Sequence, residues 1–145
     1  MPLERSVATA RAAPPRAPAT RSLVFTCGAV RYAVDGGAVR HSLPADEGAD
    51  GNVTFSGTTY PVLDVRTLFG LPHVAPGRLV LVTEASGRRA ALLVDAVIDL
   101  TVVDDASVHP LPPVFQGRER RWFRGVTRLG GETVVMLRLA GILEA

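Results

Sequence analysis

From residue 22 onward, apolar residues come in short runs closed by glycine, proline or a carboxylate, the spacing of strands rather than of long helices. Leu23-Val24-Phe25-Thr26-Cys27 stops at Gly28, and Val30-Arg31-Tyr32-Ala33-Val34-Asp35 follows, which predicts a hairpin about a glycine turn. The stretch Val53 to Leu71 is the most legible in the chain. Its first half alternates and is rich in Val, Thr, Phe and Tyr, so it reads as strand, with Gly57 marking a tight turn or bulge. Pro61 has no N–H and is expected at a sheet edge or strand end. Asp64 can cap a helical turn over Val65 to Phe69, with Gly70 as its stop.

Further on, Leu79-Val80-Leu81-Val82-Thr83 is a continuous apolar strand and Ser86-Gly87 its turn. Ala90 to Val103 reads as one long, bent strand. Apolar residues run from Leu92 to Val97, which predicts burial on both faces for Val94 and Val97. Pro110-Leu111-Pro112-Pro113 stop any regular element. Arg121 to Leu129, the turn Gly130-Gly131 and Thr133 to Leu137 form a last hairpin, and Leu137 to Leu143 a closing helix. Many short strands at roughly ten-residue spacing predict an all-β barrel or sandwich.

Two segments fall outside this pattern. Gly36-Gly37 are poor helix formers, so Ala38-Val39-Arg40-His41 makes one turn at most, and residues 44–52 are loop by composition. Pro72 to Gly77 reads as a linker. Residues 1–21 are Ala, Pro, Arg and Thr with almost no large apolar side chains. They cannot bury enough surface to offset their ordering entropy, and are expected to form a disordered arm before a single domain at 22–145. A secretory signal is not expected, since no apolar core follows the arm's charges.

Charge changes the picture in one respect. The chain has no lysine, and all 16 basic residues are arginine. The arm carries Arg5, Arg11, Arg16 and Arg21 against Glu4, whereas the rest is nearly neutral. The basic pI therefore belongs to the arm and argues against a nucleic-acid surface on the fold. The single Cys27 excludes an internal disulfide or a multi-cysteine zinc site and reads as a small buried side chain. No run approaches the ~20 apolar residues of a membrane span, and a reducing, cytoplasmic location is expected.

Candidate chemistry is sparse. His41, His73 and His109 have no partner at metal-ligand spacing, so no metal or cofactor is expected. Asp104-Asp105 stand before a proline-rich loop and read as a solvated turn rather than an acid–base pair. The glycine pairs lack the Lys and Ser/Thr of a phosphate loop. Arg118 to Arg124 interleave arginine with Trp122 and Phe123, a conceivable platform for single strands. On a strand, alternation would send the two rings to opposite faces. Asp35, Asp64 and Asp95 each end a β run and read as turn caps.

Three blocks of residues carry a resemblance. Leu23-Val24-Phe25, Gly28 and Tyr32-Ala33-Val34-Asp35 form the first. Gly57, Pro61-Val62-Leu63-Asp64-Val65-Arg66 and Phe69-Gly70-Leu71 form the second, and Leu92-Leu93-Val94-Asp95-Ala96-Val97 the third. Together they resemble the CheW-like family of bacterial chemotaxis adaptors over about residues 22–144. The resemblance implies two packed five-stranded SH3-like barrels and a non-enzymatic scaffold, here the stand-alone adaptor and not the histidine kinase with a related domain. It implies as partners a methyl-accepting chemoreceptor's cytoplasmic tip and the kinase's regulatory domain, with no nucleic acid and no membrane insertion.

By position it marks Val39, His41, Ser56, Gly57 and Arg66 as partner-binding residues, near a groove between the barrels. Two departures stand out. Ser56 occupies the place of the family's Arg, and the connection 36–52 is shorter than the family's by roughly nine residues. A divergent adaptor serving some receptors, or a motility pathway without stable kinase binding, is the alternative. A small barrel binding a ligand or nucleic acid is a third reading.

Overall fold

The computed structural model describes residues 19–71, 77–111 and 119–144. Residues 1–18 of the expected arm, residues 72–76 of the expected linker with His73, Pro112-Pro113, and Arg118 of the basic run lie outside the described residues. One five-stranded sheet contains β1 (Ala19–Cys27), β2 (Val30–Asp35), β8 (Ala96–Asp104), β9 (Phe123–Leu129) and β10 (Glu132–Leu137), in the order β8-β1-β2-β10-β9. The other contains β3 (Val39–Pro44), β4 (Asn52–Phe55), β5 (Thr58–Asp64), β6 (Leu79–Ala85) and β7 (Arg88–Val94), in the order β3-β6-β7-β5-β4. Short helices α1 (Val65–Phe69), α2 (Glu119–Trp122) and α3 (Leu139–Leu143) complete the fold.

The sheets are built alike. In each, a central hairpin pairs in parallel with one strand of a second hairpin, and a separate strand lies antiparallel along the remaining edge. The chain crosses between them twice, from β2 to β3 and from β7 to β8. Each sheet's lone edge strand therefore follows a strand of the other sheet.

Alternation along the central strands explains the core. In β1 and β2, Val24 and Ala33 point into the first barrel, and Phe25, Tyr32 and Val34 into the seam between barrels. In β6 and β7, Val80, Val82 and Ala91 fill the second barrel, whereas Leu81, Leu92 and Val94 face the seam. A strand buried on both faces needs apolar residues throughout, which is why these stretches read as continuous runs. Trp122, Leu137, Leu139 and Ile142 close the seam's end. Each large side chain so buried contributes roughly 1.5–3 kcal/mol.

The motif stretch folds as expected. Asp64 accepts from the Arg66 N–H at 3.0 Å, capping α1, and Gly70 ends it with φ +70°. α1 delivers Phe69 to an aromatic group, its ring 5.3 Å from Tyr32, 5.6 Å from Trp122 and 5.1 Å from Phe123.

Six expectations need correction. β1 begins at Ala19, so Ala19, Thr20 and Arg21 of the expected arm are strand, held by β8 alone. Ala38 to His41 makes no helical contact surface, because Gly36–Ala38 is a 3-10 turn and Val39 to Pro44 is an edge strand. The expected loop 44–52 contains a further 3-10 turn at Ala45–Gly48. Pro61 is not at an edge, since β5 lies between β4 and β7. It is the last residue opposite β4, one before pairing with β7 starts at Val62, so its missing N–H falls at the change of partner. The long strand breaks at Asp95 into β7 and β8, which belong to different sheets, and Val97 is 38% exposed, unlike fully buried Val94. Trp122 and Phe123 do not diverge. Trp122 is in α2, where alternation does not apply, and both rings meet Phe69.

Candidate functional site

The two lone edge strands, β8 and β3, wall a groove of about 280 Å³ between the barrels. Leu23, Val97 and Leu100 line it from the first sheet, and Val39 and Leu79 from the second, with Arg40 and His41 as its basic members. β8 holds the exposed large apolar side chains of the described residues: Val97, Ile98, Leu100 at 48% and Val102 at 64%. Contiguous apolar exposure beside a concave surface is how soluble folds present binding sites.

At the second barrel's end, His41 on β3 stacks on Phe55 of β4, ring centroids 5.2 Å apart at 15°. The stack ties together the two edges of that sheet. Phe55 leads directly into the two-residue turn Ser56-Gly57, with φ +49° and +77°. Two successive left-handed residues define a type I′ hairpin, which suits glycine at the second position and strains serine at the first. Behind the strand, Tyr60 donates to Glu84 at 2.6 Å, and Arg40 stands 3.9 Å from the same carboxylate. That hydrogen bond raises the Tyr60 pKa.

Of the residues marked by sequence, Val39 and His41 thus lie in the groove, and Ser56 and Gly57 lie next to it through Phe55. Arg66 is set apart: it is 5% exposed, its Nε 3.5 Å from the Asp64 carboxylate. Leu23, Leu79 and Leu100 carry no mark in the sequence, and Val97 reads there as buried core. The acids Asp95 and Asp99, interrupting an apolar run, were the signal that the run breaks and then surfaces.

Asp35 and Asp95 act as caps. Asp35 accepts from the Gly37 N–H at 2.9 Å and Asp95 from the Gly28 N–H at 2.7 Å. Cys27 is buried, and burial, followed by the nearby Asp95 charge, pushes its thiol up to about 12. It stays protonated, as an inert small side chain does. Among the described residues no group of His, Cys, Asp and Glu is placed to hold a metal ion.

The two packed barrels thus leave an apolar groove between their free edges. The model of the CheW-like domain matches residues 21–145, and the chain belongs to that family. It is 28% identical over 97 residues to "Chemotaxis protein CheW" of Rhizobium meliloti, covering 66% of this chain and 63% of that protein. It is 24% identical over 96 residues to "Probable chemotaxis protein CheW" of Rhizobium etli, covering 65% and 62%. The chain thus spans less than two thirds of the length of these relatives. Among solved structures, the scaffolding protein TtCheW from Thermoanaerobacter tengcongensis superposes with a TM-score of 0.68 at 21% identity, covering 82% of this chain and 88% of that one. That likeness shows the shared fold. No helix of the described residues is long and apolar enough to cross a membrane.

Proposed function

We propose that this protein is a non-catalytic, cytoplasmic adaptor of a chemosensory pathway, holding a chemoreceptor's cytoplasmic tip in the groove between its barrels. The observation that carries this reading is the pair of exposed apolar side chains Val97 and Leu100 of β8 facing Val39 and His41 across the groove. An amphipathic helix laid there buries its apolar face on Val97 and Leu100, and its acidic side chains meet Arg40 and His41.

A second reading concerns the kinase. The Ser56-Gly57 turn stands where the family presents Arg to a partner. Arg offers a planar fork of donors and a permanent charge, and Ser offers one hydroxyl. Loss of a buried charge-assisted contact weakens an interface by about 2–5 kcal/mol. We infer that the histidine kinase's regulatory domain is bound weakly or not at all, while the receptor is retained. The test titrates wild type and Ser56→Arg against a receptor-tip fragment and the regulatory domain. Receptor binding by both, with several-fold tighter kinase binding by Ser56→Arg, is expected. Tight wild-type binding to the kinase domain, unchanged by the substitution, removes the second reading, and absence of receptor binding removes the first.

A further inference from the structure

Among the described residues, the first barrel leaves a gap between its edges. Its edges β8 and β9 meet where His109 pairs with Val126 and Thr127 donates to the Ser107 carbonyl at 3.0 Å. Away from that seam a cleft of about 400 Å³ opens between β8 and the β9–β10 turn. Its floor is the barrel core itself, Val24 and Val134. A bulge builds its wall. β1 pairs Val24 with Asp99 and Phe25 with Val97, leaving Ile98 without a partner on β1, and Ile98, 46% exposed, lines the cleft. The charged lining is Asp99 and Glu132 against Arg31, which stands 3.7 Å from Glu132. The cleft is therefore net acidic, whereas the groove on the opposite side of β8 has Arg40 and His41.

β1 begins near this cleft. Ala19 pairs with Asp104 at the end of β8. Thr101, at the cleft, is three residues from Asp104, about 10 Å along a strand. Residues 1–18 can reach about 60 Å when extended, so length sets no limit. They carry Arg5, Arg11 and Arg16 against Glu4, with small apolar side chains between. Their charge complements the cleft and opposes the groove.

We propose that residues 1–18 dock in this cleft along the free edge of β8, covering Ile98 above the buried floor of Val24 and Val134. β8 is the wall common to cleft and groove, so the docked segment braces the strand against which a groove partner packs. The docking itself does not depend on what the groove holds.

The test uses the full chain with a paramagnetic label at Ala10→Cys, the native Cys27 being buried. Backbone amide signals of Ile98, Thr101 and Gly130 are expected to weaken, with Val39 and the Ser86-Gly87 turn unaffected. The loss is expected to disappear in the triple variant Arg5→Glu, Arg11→Glu, Arg16→Glu, and in ~1 M salt, where the screening length falls to ~3 Å. Loss centred on Val39 and His41 instead, uniform loss, or no loss overturns the proposal. So does loss that grows with protein concentration and passes from labelled to unlabelled molecules in a mixture, which assigns the cleft to a second copy's segment.

Discussion

β7 and β8 follow one another with only Asp95 between them, and both read as apolar runs. Their fates are opposite. Leu92 and Val94 on β7 are fully buried, while Leu100 and Val102 on β8 are 48% and 64% exposed. The difference lies in position, not composition. β7 is central in its sheet and faces both a barrel interior and the seam, whereas β8 is an edge strand packed on one side only. Apolar residues on β7 hold the fold together, whereas on β8 only Val103 is buried in the core and Val97, Ile98, Leu100 and Val102 stay exposed. Hydropathy alone does not separate these roles, because the separation is made by which strand pairs where.

The sharpest way to break the comparison is to truncate equivalent leucines. Leu92→Ala removes a side chain with no exposure and leaves a cavity in the seam. It is expected to cost about 2–5 kcal/mol and lower the melting temperature by on the order of ten degrees. Leu100→Ala is expected to cost under about 1 kcal/mol. Equal losses in the two thermal melts would erase the distinction between strands.

Gly141→Ala probes the closed end of the seam. A Cβ at Gly141 would collide with the Arg121 carbonyl oxygen, so α3 has to move away from α2. A loss of about 1–3 kcal/mol is expected. Denaturant unfolding measures it, and a wild-type midpoint would mean that the two helices are not held at this spacing.

The seam also predicts a pH response. Burial pushes both Cys27 and Tyr32 up to about 12. For a group whose pKa is raised on folding, stability is fully present below the unfolded pKa and lost as pH rises toward the folded one. Melting temperature is therefore expected to fall as pH rises from about 9 toward 12. Cys27→Ala is expected to shallow that fall, and an identical slope in wild type and variant would exclude the thiol as a contributor.

The smallest effect is expected at the hairpin beside the groove. Ser56→Asn places a residue tolerant of left-handed geometry at φ +49°. A gain of a few tenths of a kcal/mol is expected from the melting curve. A clear loss would mean that the Ser56 hydroxyl, and not the turn's backbone, sets its stability.

Much of this fold was legible because local chemistry decided it. The cap Asp64, the stop Gly70 and the turns at Gly57, Ser86-Gly87 and Gly130-Gly131 each follow from one or two residues. The misreadings at Pro61 and Val97 share a cause, namely that they depended on partners distant in sequence. Pro61 is tolerated inside a sheet because two different strands share β5. Val97 is exposed because the chain changes sheets at Asp95, whose N–H donates to the Thr26 carbonyl at 2.9 Å. The resemblance placed Val39 and His41 on a helix, and they lie instead on the edge strand β3. The groove's remaining walls appear only once β8 and β3 are seen to be the lone edges of two similarly built sheets.

The central claim is that β8 forms a binding surface dispensable for folding. Leu100→Glu tests it most directly, by calorimetric titration against a chemoreceptor cytoplasmic-tip fragment, with the melting temperature recorded on the same sample. The account predicts a melting temperature near that of wild type and an affinity lower by at least about tenfold, the equivalent of ~1.4 kcal/mol at the interface. Unchanged affinity with a folded protein would contradict it and move the partner surface away from the groove.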